Sequence, residues 1–268
     1  KLINPVWPAP VSGGNTETFN FIASSVVQAL SQALPDRVAA CGGDTESILT
    51  LGGYDDIKNQ SFTTFLWDPG GWGGRYSADG ENTTNSYTGT TAKNFSAEVI
   101  ETECPLRTIR WQLKTDSGGA GKYRGGLGVI REYELEGRTG VVGGHANRRK
   151  FPAPGVLGGQ EGSRQHFLFS TDGNKFCEVT DLKPGTPSST KFGDLKLERG
   201  AHIVLEAPGG GGYGPVSDRD QESVEEDLKN GYISLEEAIR TYKLESKTAR
   251  GIAKIHGPCL GDGFKNQD

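Results

Sequence analysis

The sequence has no methionine, and only four histidines and four cysteines in 268 residues. His145, His166, His202 and His256 show no HExxH spacing, and none stands beside a cysteine at zinc-finger spacing. A complete metal site within the chain is therefore not expected. Cys41, Cys104, Cys177 and Cys259 form no CxxC pair and read as reduced thiols of a cytoplasmic protein. Asn59, Asn82 and Asn94 each open an N-x-Ser/Thr sequon, which is read as chance in a chain this rich in Ser and Thr. No apolar run approaches the roughly 18 residues of a membrane helix, and no signal peptide is visible. The net charge of -5 gives nucleic-acid binding no general electrostatic support. With no Met and a start at Lys1, a processed, split or partial polypeptide is expected.

Glycine is abundant instead, with 40 residues clustered between short strand-like runs rather than in a collagen-like period. Residues 16–34 carry the clearest helical period: Phe19, Ile22, Val26, Val27, Leu30 and Leu34 share one face. That face predicts a buried amphipathic helix, capped by Asn15 or Thr16 and ended by Pro35. From 36 to about 210 the chain reads as strands at 47–51, 62–67, 98–103, 108–113, 128–135, 140–143, 166–170 and 202–206. After 215, Asp220 or Ser223 caps a helix that ends at Asn230-Gly231, and Ser234-Leu-Glu-Glu237 is a capping box for a second. A weaker helix follows Lys247. The expectation is an α+β fold: a β-rich mixed domain over 1–214 with one long N-terminal amphipathic helix, and a C-terminal helical hairpin and tail over 215–268.

Four segments invite a chemical reading. Ser117-Gly-Gly-Ala-Gly-Lys-Tyr-Arg-Gly-Gly-Leu-Gly128 suggests a phosphate loop, but a Walker A loop needs Gly at Asp116 and Ser or Thr at Tyr123. It also fails G-x-G-x-x-G, because the last position is Arg124. One alternative is a tight strand connection with Lys122 and Arg124 exposed; another has Arg124 and backbone N–H groups contacting an anionic substrate. His145, in Gly144-His-Ala-Asn-Arg-Arg-Lys-Phe-Pro152, can serve as a general base or as an ordinary hydrogen-bonded loop residue. Arg148 and Arg149 are neighbours on an extended chain, so at most one reaches a given site. Residues 67–75 and 208–214 read either as pocket walls or hinges, or as packing loops.

Eight blocks in order are more specific than any one. They are Pro10-Val-Ser-Gly-Gly-Asn-Thr-Glu-Thr18, Gln32-Ala-Leu-Pro-Asp-Arg37, Gly70-Gly-Trp-Gly-Gly74, Asp116 to Gly128, Arg148-Arg-Lys-Phe-Pro152, Gly155-Val-Leu-Gly-Gly159, Pro208-Gly-Gly-Gly-Gly-Tyr-Gly214 and Ser217-Asp-Arg-Asp220. Over about residues 1–245 the chain resembles the carboxyl-terminal half of the hydantoinase B/oxoprolinase family. The resemblance implies a B-type subunit of an ATP-dependent hydrolase of cyclic amides (hydantoins, 5-oxoproline, lactams). Its implied partners are a hydantoinase A-type ATPase subunit that uses ATP and Mg, and the amino-terminal half of the B-type subunit. A hetero-oligomer acting on a small molecule follows, with no nucleic acid and no membrane. The relatives that carboxylate acetone or acetophenone imply the alternative of a ketone carboxylase subunit, and a non-catalytic scaffold half is a third. The family's metal motifs fall in the amino-terminal half, so no metal ligand carries over. Asn15, Glu17, Arg124 and His145 are the catalytic candidates, chosen for polarity and position within the blocks.

Overall fold

The computed structural model describes residues 6–8, 17–84 and 93–256, and among these the chain is a mixed α+β fold with two antiparallel four-stranded sheets. The first sheet contains β1 (Ile48–Asp55), β2 (Gln60–Leu66), β5 (Thr139–His145) and β7 (Lys191–Glu198) in the order β2-β1-β5-β7. The second contains β3 (Leu106–Leu113), β4 (Val129–Leu135), β6 (His166–Ser170) and β8 (His202–Glu206) in the order β3-β4-β8-β6. Alternate residues point inward, so Leu49, Leu51, Phe62, Val142 and Leu195 from one sheet join Leu106, Tyr133, Leu135, Phe167 and Ile203 from the other in one core. At one end of this core lies a buried ion pair. Arg131 meets Asp68 at 2.7 Å, and its guanidinium stacks 3.7 Å from the Trp111 ring centroid.

Two strand readings need correction. The 98–103 segment is not a strand but part of helix α2 (Ala97–Glu103), because the Ser96 hydroxyl accepts the Val99 N–H and Ile100 alone turns inward. Strand β7 escaped the sequence reading because only Leu195 and Leu197 of its eight residues are buried, among exposed charges. A one-turn helix, α3 (Val179–Leu182), lies near β6.

The glycine blocks converge at the same end of the sandwich as the Arg131–Asp68 pair, where β2 leads through Asp68 into Gly70 and Gly128 leads into β4. Segment 208–213 belongs to no sheet; its backbone is hydrogen-bonded to several other loops at once. Gly210 N–H donates to Gly126 O at 2.9 Å, Gly211 N–H to Cys41 O at 2.8 Å and Gly212 N–H to Gln160 O at 2.9 Å. In return Pro208 O accepts from Gly71, Gly210 O from Gly119 and Gly211 O from Gly74, at 2.8 to 2.9 Å. The chains lie too close for side chains: a Cβ on Gly210 would stand 2.1 Å from Trp72 O, and one on Gly71 1.8 Å from Gly126 O. This is a core packed by backbone, and it consumes the glycine blocks as packing elements.

Three helices follow: α4 (Gln221–Lys229), α5 (Leu235–Arg240) and α6 (Ser246–His256). Asp220 and Ser234 cap the first two, accepting from Ser223 N and Glu237 N at 3.2 and 3.1 Å. Val224, Leu228, Ala238, Tyr242 and Ala249 give them their own small core. The expected hairpin is thus a three-helix group.

Helix α1 (Phe19–Leu30) is shorter than the expected 16–34, and it lies with the opposite face inward. Its buried residues are polar, Asn20 and Ser24, continuing the line of Glu17, whereas Phe19 is 52%, Val26 56% and Leu30 43% exposed. Periodicity separates two faces of a helix; it does not state which one the rest of the chain covers. Here the covering element is a polar loop, residues 41–47.

Candidate functional site

The loop 41–47 leaves the glycine core, where Gly43 N–H donates to Gly71 O at 2.8 Å, and runs into β1 beneath the start of α1. Its polar side chains meet the polar face of the helix. Glu17 is 3% exposed, and its carboxylate is held on three sides. Thr45 Oγ1 donates to it at 2.9 Å from each oxygen, Glu46 N–H donates at 3.1 Å, and Asn147 Nδ2 donates to Oε2. Asn147 N–H also donates to Thr45 Oγ1 at 3.0 Å, tying the exit of β5 to the same loop. His145, two residues earlier on β5, is near enough to act on Glu17 electrostatically. Beside this group Arg148 Nη2 meets Asp44 Oδ2 at 2.8 Å, its Nε donates to Gly43 O at 3.0 Å, and its guanidinium lies 4.4 Å from the Phe21 ring centroid. The Ser24 hydroxyl donates to the same Asp44 oxygen.

The electrostatics are those of two carboxyl groups in limited space. Burial raises the Glu17 carboxyl above the usual range, against the lowering effect of its hydrogen bonds. Burial and the neighbouring Glu17 push Glu46 up to about 7. A half-buried carboxyl that titrates near neutrality suits proton transfer. Asp44, Ser47 and Arg148 have φ of 51, 40 and 60°, so left-handed backbone is concentrated around the pair.

The raised Glu46 carboxyl has a consequence for stability. Its folded-state pKa lies above the ordinary 4.5, so the fold favours the protonated form. The contribution is complete below about 4.5 and is lost as pH rises through about 7. Asp68, buried against Arg131 and also pushed up to about 7, adds to any slope in the same window. The expected result is that Glu46→Gln flattens the fall in melting temperature between pH 5 and 8 relative to the unsubstituted chain. Equal slopes in the two proteins would contradict the Glu46 assignment.

The structure brings together two of the four sequence candidates, Glu17 and His145. Asn15 lies outside the described residues. Arg124 lies elsewhere and is buried rather than exposed, because two aspartates and a carbonyl enclose its guanidinium. Arg124 Nε donates to Asp227 Oδ2 at 3.2 Å and Nη1 to Gly125 O at 2.6 Å. Arg219, from the Ser217-Asp-Arg-Asp220 block, grips Asp79 through two nitrogens at 2.7 and 2.8 Å and reaches Asp227 at 2.6 Å. This four-residue network clamps the glycine-rich 117–128 segment to α4. Breaking a buried ion pair strands its partner charge, so Arg124→Ala should cost about 3 kcal/mol of unfolding free energy. Denaturant titration measures this, and kcat per folded molecule should stay unchanged; a large kcat loss in a fully stable variant would point to a chemical role. Arg148 and Arg149 reach different partners, Asp44 and Glu178, but not as neighbours on an extended strand: β5 ends at His145 and Arg148 has a φ of 60°.

Sequence reading missed Thr45, Glu46 and Asn147. Asn147 was within reach, since period two puts it on the His145 side of the strand. Glu46 carried no signal, because Asp44-Thr-Glu-Ser47 matches no spacing rule. Among the described residues no group of three or more His, Cys, Asp or Glu is placed to hold a metal. No described helix is long and apolar enough to cross a membrane.

Comparison with known proteins gives this geometry its context. The chain is 35% identical to an uncharacterised protein of Methanocaldococcus jannaschii over 91% of its length, covering 40% of that protein. It is 31% identical to the B-type subunit of a putative D-/L-hydantoinase of a Pseudomonas species over 90% of its length, covering 38% of that protein. It is 29% identical to the β chain of the caprolactamase of Pseudomonas jessenii, over 90% of this chain and 41% of that one. The chain thus spans about two fifths of the length of these relatives. The fold is shared with the ATP-dependent caprolactamase of the same organism, with a TM-score of 0.73 and 24% identity over 94% of this chain and 44% of that one. It is also shared with acetone carboxylase, with a TM-score of 0.65 and 17% identity over 84% of this chain and 35% of that one. The hydantoinase B/oxoprolinase family model matches residues 1–216, and the chain belongs to that family.

Proposed function

We propose that this chain is the carboxyl-terminal part of the B-type subunit of an ATP-dependent enzyme that opens a cyclic amide. It acts in the cytoplasm beside the amino-terminal part of that subunit and an ATP-phosphorylating A-type subunit. The observation that carries the reading is the Glu17–Glu46 pair: the Glu46 N–H donates to the buried Glu17 carboxyl at 3.1 Å, and burial together with that neighbour pushes the Glu46 carboxyl up to about 7. Relatives named for their reactions are hydantoinase, caprolactamase and 5-oxoprolinase, and the rings in those names share a C(=O)–N bond. Phosphorylation from ATP, with Mg on the A-type subunit, supplies the electrophilic activation that an amide lacks. What remains is proton traffic. In this reading Glu46 takes the proton of the water that attacks the phosphorylated amide carbon as the C–O bond forms, and returns it to the ring nitrogen as the C–N bond breaks; the acyl phosphate left behind is hydrolysed by a second water to carboxylate and inorganic phosphate. Glu17 positions Glu46 and favours its protonated form; Asn147 and Thr45 hold Glu17 in place, and His145 lies at the open end of the strand.

The second reading, a subunit of an ATP-dependent ketone carboxylase, has the fold shared with acetone carboxylase in its favour. The test separates them by product. The purified complex is incubated with ATP and a hydantoin, 5-oxoproline or caprolactam, and in parallel with ATP, acetone and labelled bicarbonate. ATP-dependent ring opening is the expected result. Label fixed into a keto acid, with no ring opened, would replace the hydrolase reading with the carboxylase one.

A further inference from the structure

The outward face of α1 is unusual for a surface. Phe19, Ile22, Val26 and Leu30 form an apolar stripe along the helix, Leu34 extends it, and all five are exposed. Residues 18–34 contain no charged side chain, in a chain that is 24% charged. The helix runs beside residues 155–157, leaving an open groove of about 530 Å³ floored by Val156 and Leu157, and Leu157 is itself half exposed. The helix is nevertheless fixed on its other side by Glu17, Ser24 and the stacked Phe21, so the stripe is presented by an anchored element. A contiguous apolar surface of this kind marks an interaction site. Depletion of charge is the compositional mark of an interface core, and the more apolar interfaces are the permanent ones.

We infer that the apolar face of α1 is the seat of the remaining part of a B-type subunit, which packs there permanently as a second half of one folded body. The relatives that match nine tenths of this chain are themselves roughly 2.3 times as long, as the 40% and 38% coverage shows. A protein of that length has some three fifths of its residues to place against this fold. An uncharged helix face beside an uncharged groove, lined by Ser25, Gln28 and Gln32 as well as Val156 and Leu157, fits such a permanent contact better than it fits a partner that comes and goes. The inference rests on the proposal that this chain works within a B-type subunit; its test reads assembly and not turnover, so either can fail without the other.

Two experiments decide it. In the first, a photo-reactive phenylalanine analogue is placed at position 26 in the assembled complex, irradiated and mapped by mass spectrometry. Cross-links to the rest of the B-type subunit are expected. Cross-links to the A-type subunit, or to a second copy of this chain, would overturn the assignment. In the second, Val26→Glu with Leu30→Glu is combined with the separately expressed remainder of the B-type subunit. The association constant, by native mass spectrometry and calorimetry, should fall at least 100-fold. The denaturation midpoint of this chain alone should not move, since both side chains already face solvent. Unchanged association would overturn the inference, and the cross-link in the otherwise unsubstituted chain decides the matter if the double variant does not fold.

Discussion

Under the proposed function, Glu46→Gln is expected to lower kcat of the assembled complex by at least about 100-fold, the lower end of what a positioned general acid–base contributes. The argument joins position to titration. Glu46 is half-buried next to the fixed carboxylate of Glu17, and burial together with that neighbour brings its carboxyl up to about 7. Gln keeps the shape and removes the transferable proton. The same substitution relieves the cost of holding a carboxylate there above neutral pH, so the variant is more stable and less active at pH 8. Opposite signs in stability and turnover mark a group kept for chemistry at some expense to the fold. Glu17→Gln has a distinct signature: with its neighbour's charge gone, the Glu46 limb of the kcat profile moves to lower pH. The assignment fails if Glu46→Gln retains kcat within about threefold, or if its profile keeps the limb near pH 7.

Gly210→Ala costs about 4 kcal/mol or more, enough to unfold a marginal domain. The added Cβ meets Trp72 O at 2.1 Å, and the Trp72 carbonyl also accepts the Gly126 N–H at 2.7 Å. Backbone on one side and backbone on the other leave no flexible side chain to yield. Gly251→Ala in α6 is the matched control, since nothing lies within 4 Å of its Cβ position. There the change should add about 0.5–1 kcal/mol, the usual gain on replacing a glycine inside a helix. Urea midpoints of the two variants measure the contrast. Comparable midpoints would show that the glycine core tolerates expansion.

The β architecture was legible because short apolar runs between glycine turns mark strands. Strands at 166–170 and 202–206 fall where such runs place them, although both are buried on both faces rather than alternating, and Asp220 and Ser234 cap helices as their types suggest. Elements governed by distant context were not. Residues 98–103 alternate enough to resemble a strand until the Ser96 cap is weighed. The α1 period was correct and its orientation inverted, since the deciding contacts come from Asp44 and Thr45, 20 or more residues downstream. Glycine clusters announce close approach without saying to what. At the site, Glu17 and His145 stood out as polar residues within family blocks, whereas Glu46 acquires its character only from folding beside Glu17. Arg124 stood out for the same reason as Glu17, and its charge is taken up by Asp79 and Asp227.

The backbone-packed centre has a spectroscopic consequence. Its amides are bonded to carbonyls across several segments, yet those segments form neither helix nor strand. Circular dichroism will therefore count much of 70–74, 118–128 and 208–213 as coil. Deuterium labelling should find the opposite, with Gly210, Gly211 and Gly126 among the last protons to leave, exchanging only when the whole molecule opens. In this protein the slowest clock sits where the optical signal is faintest.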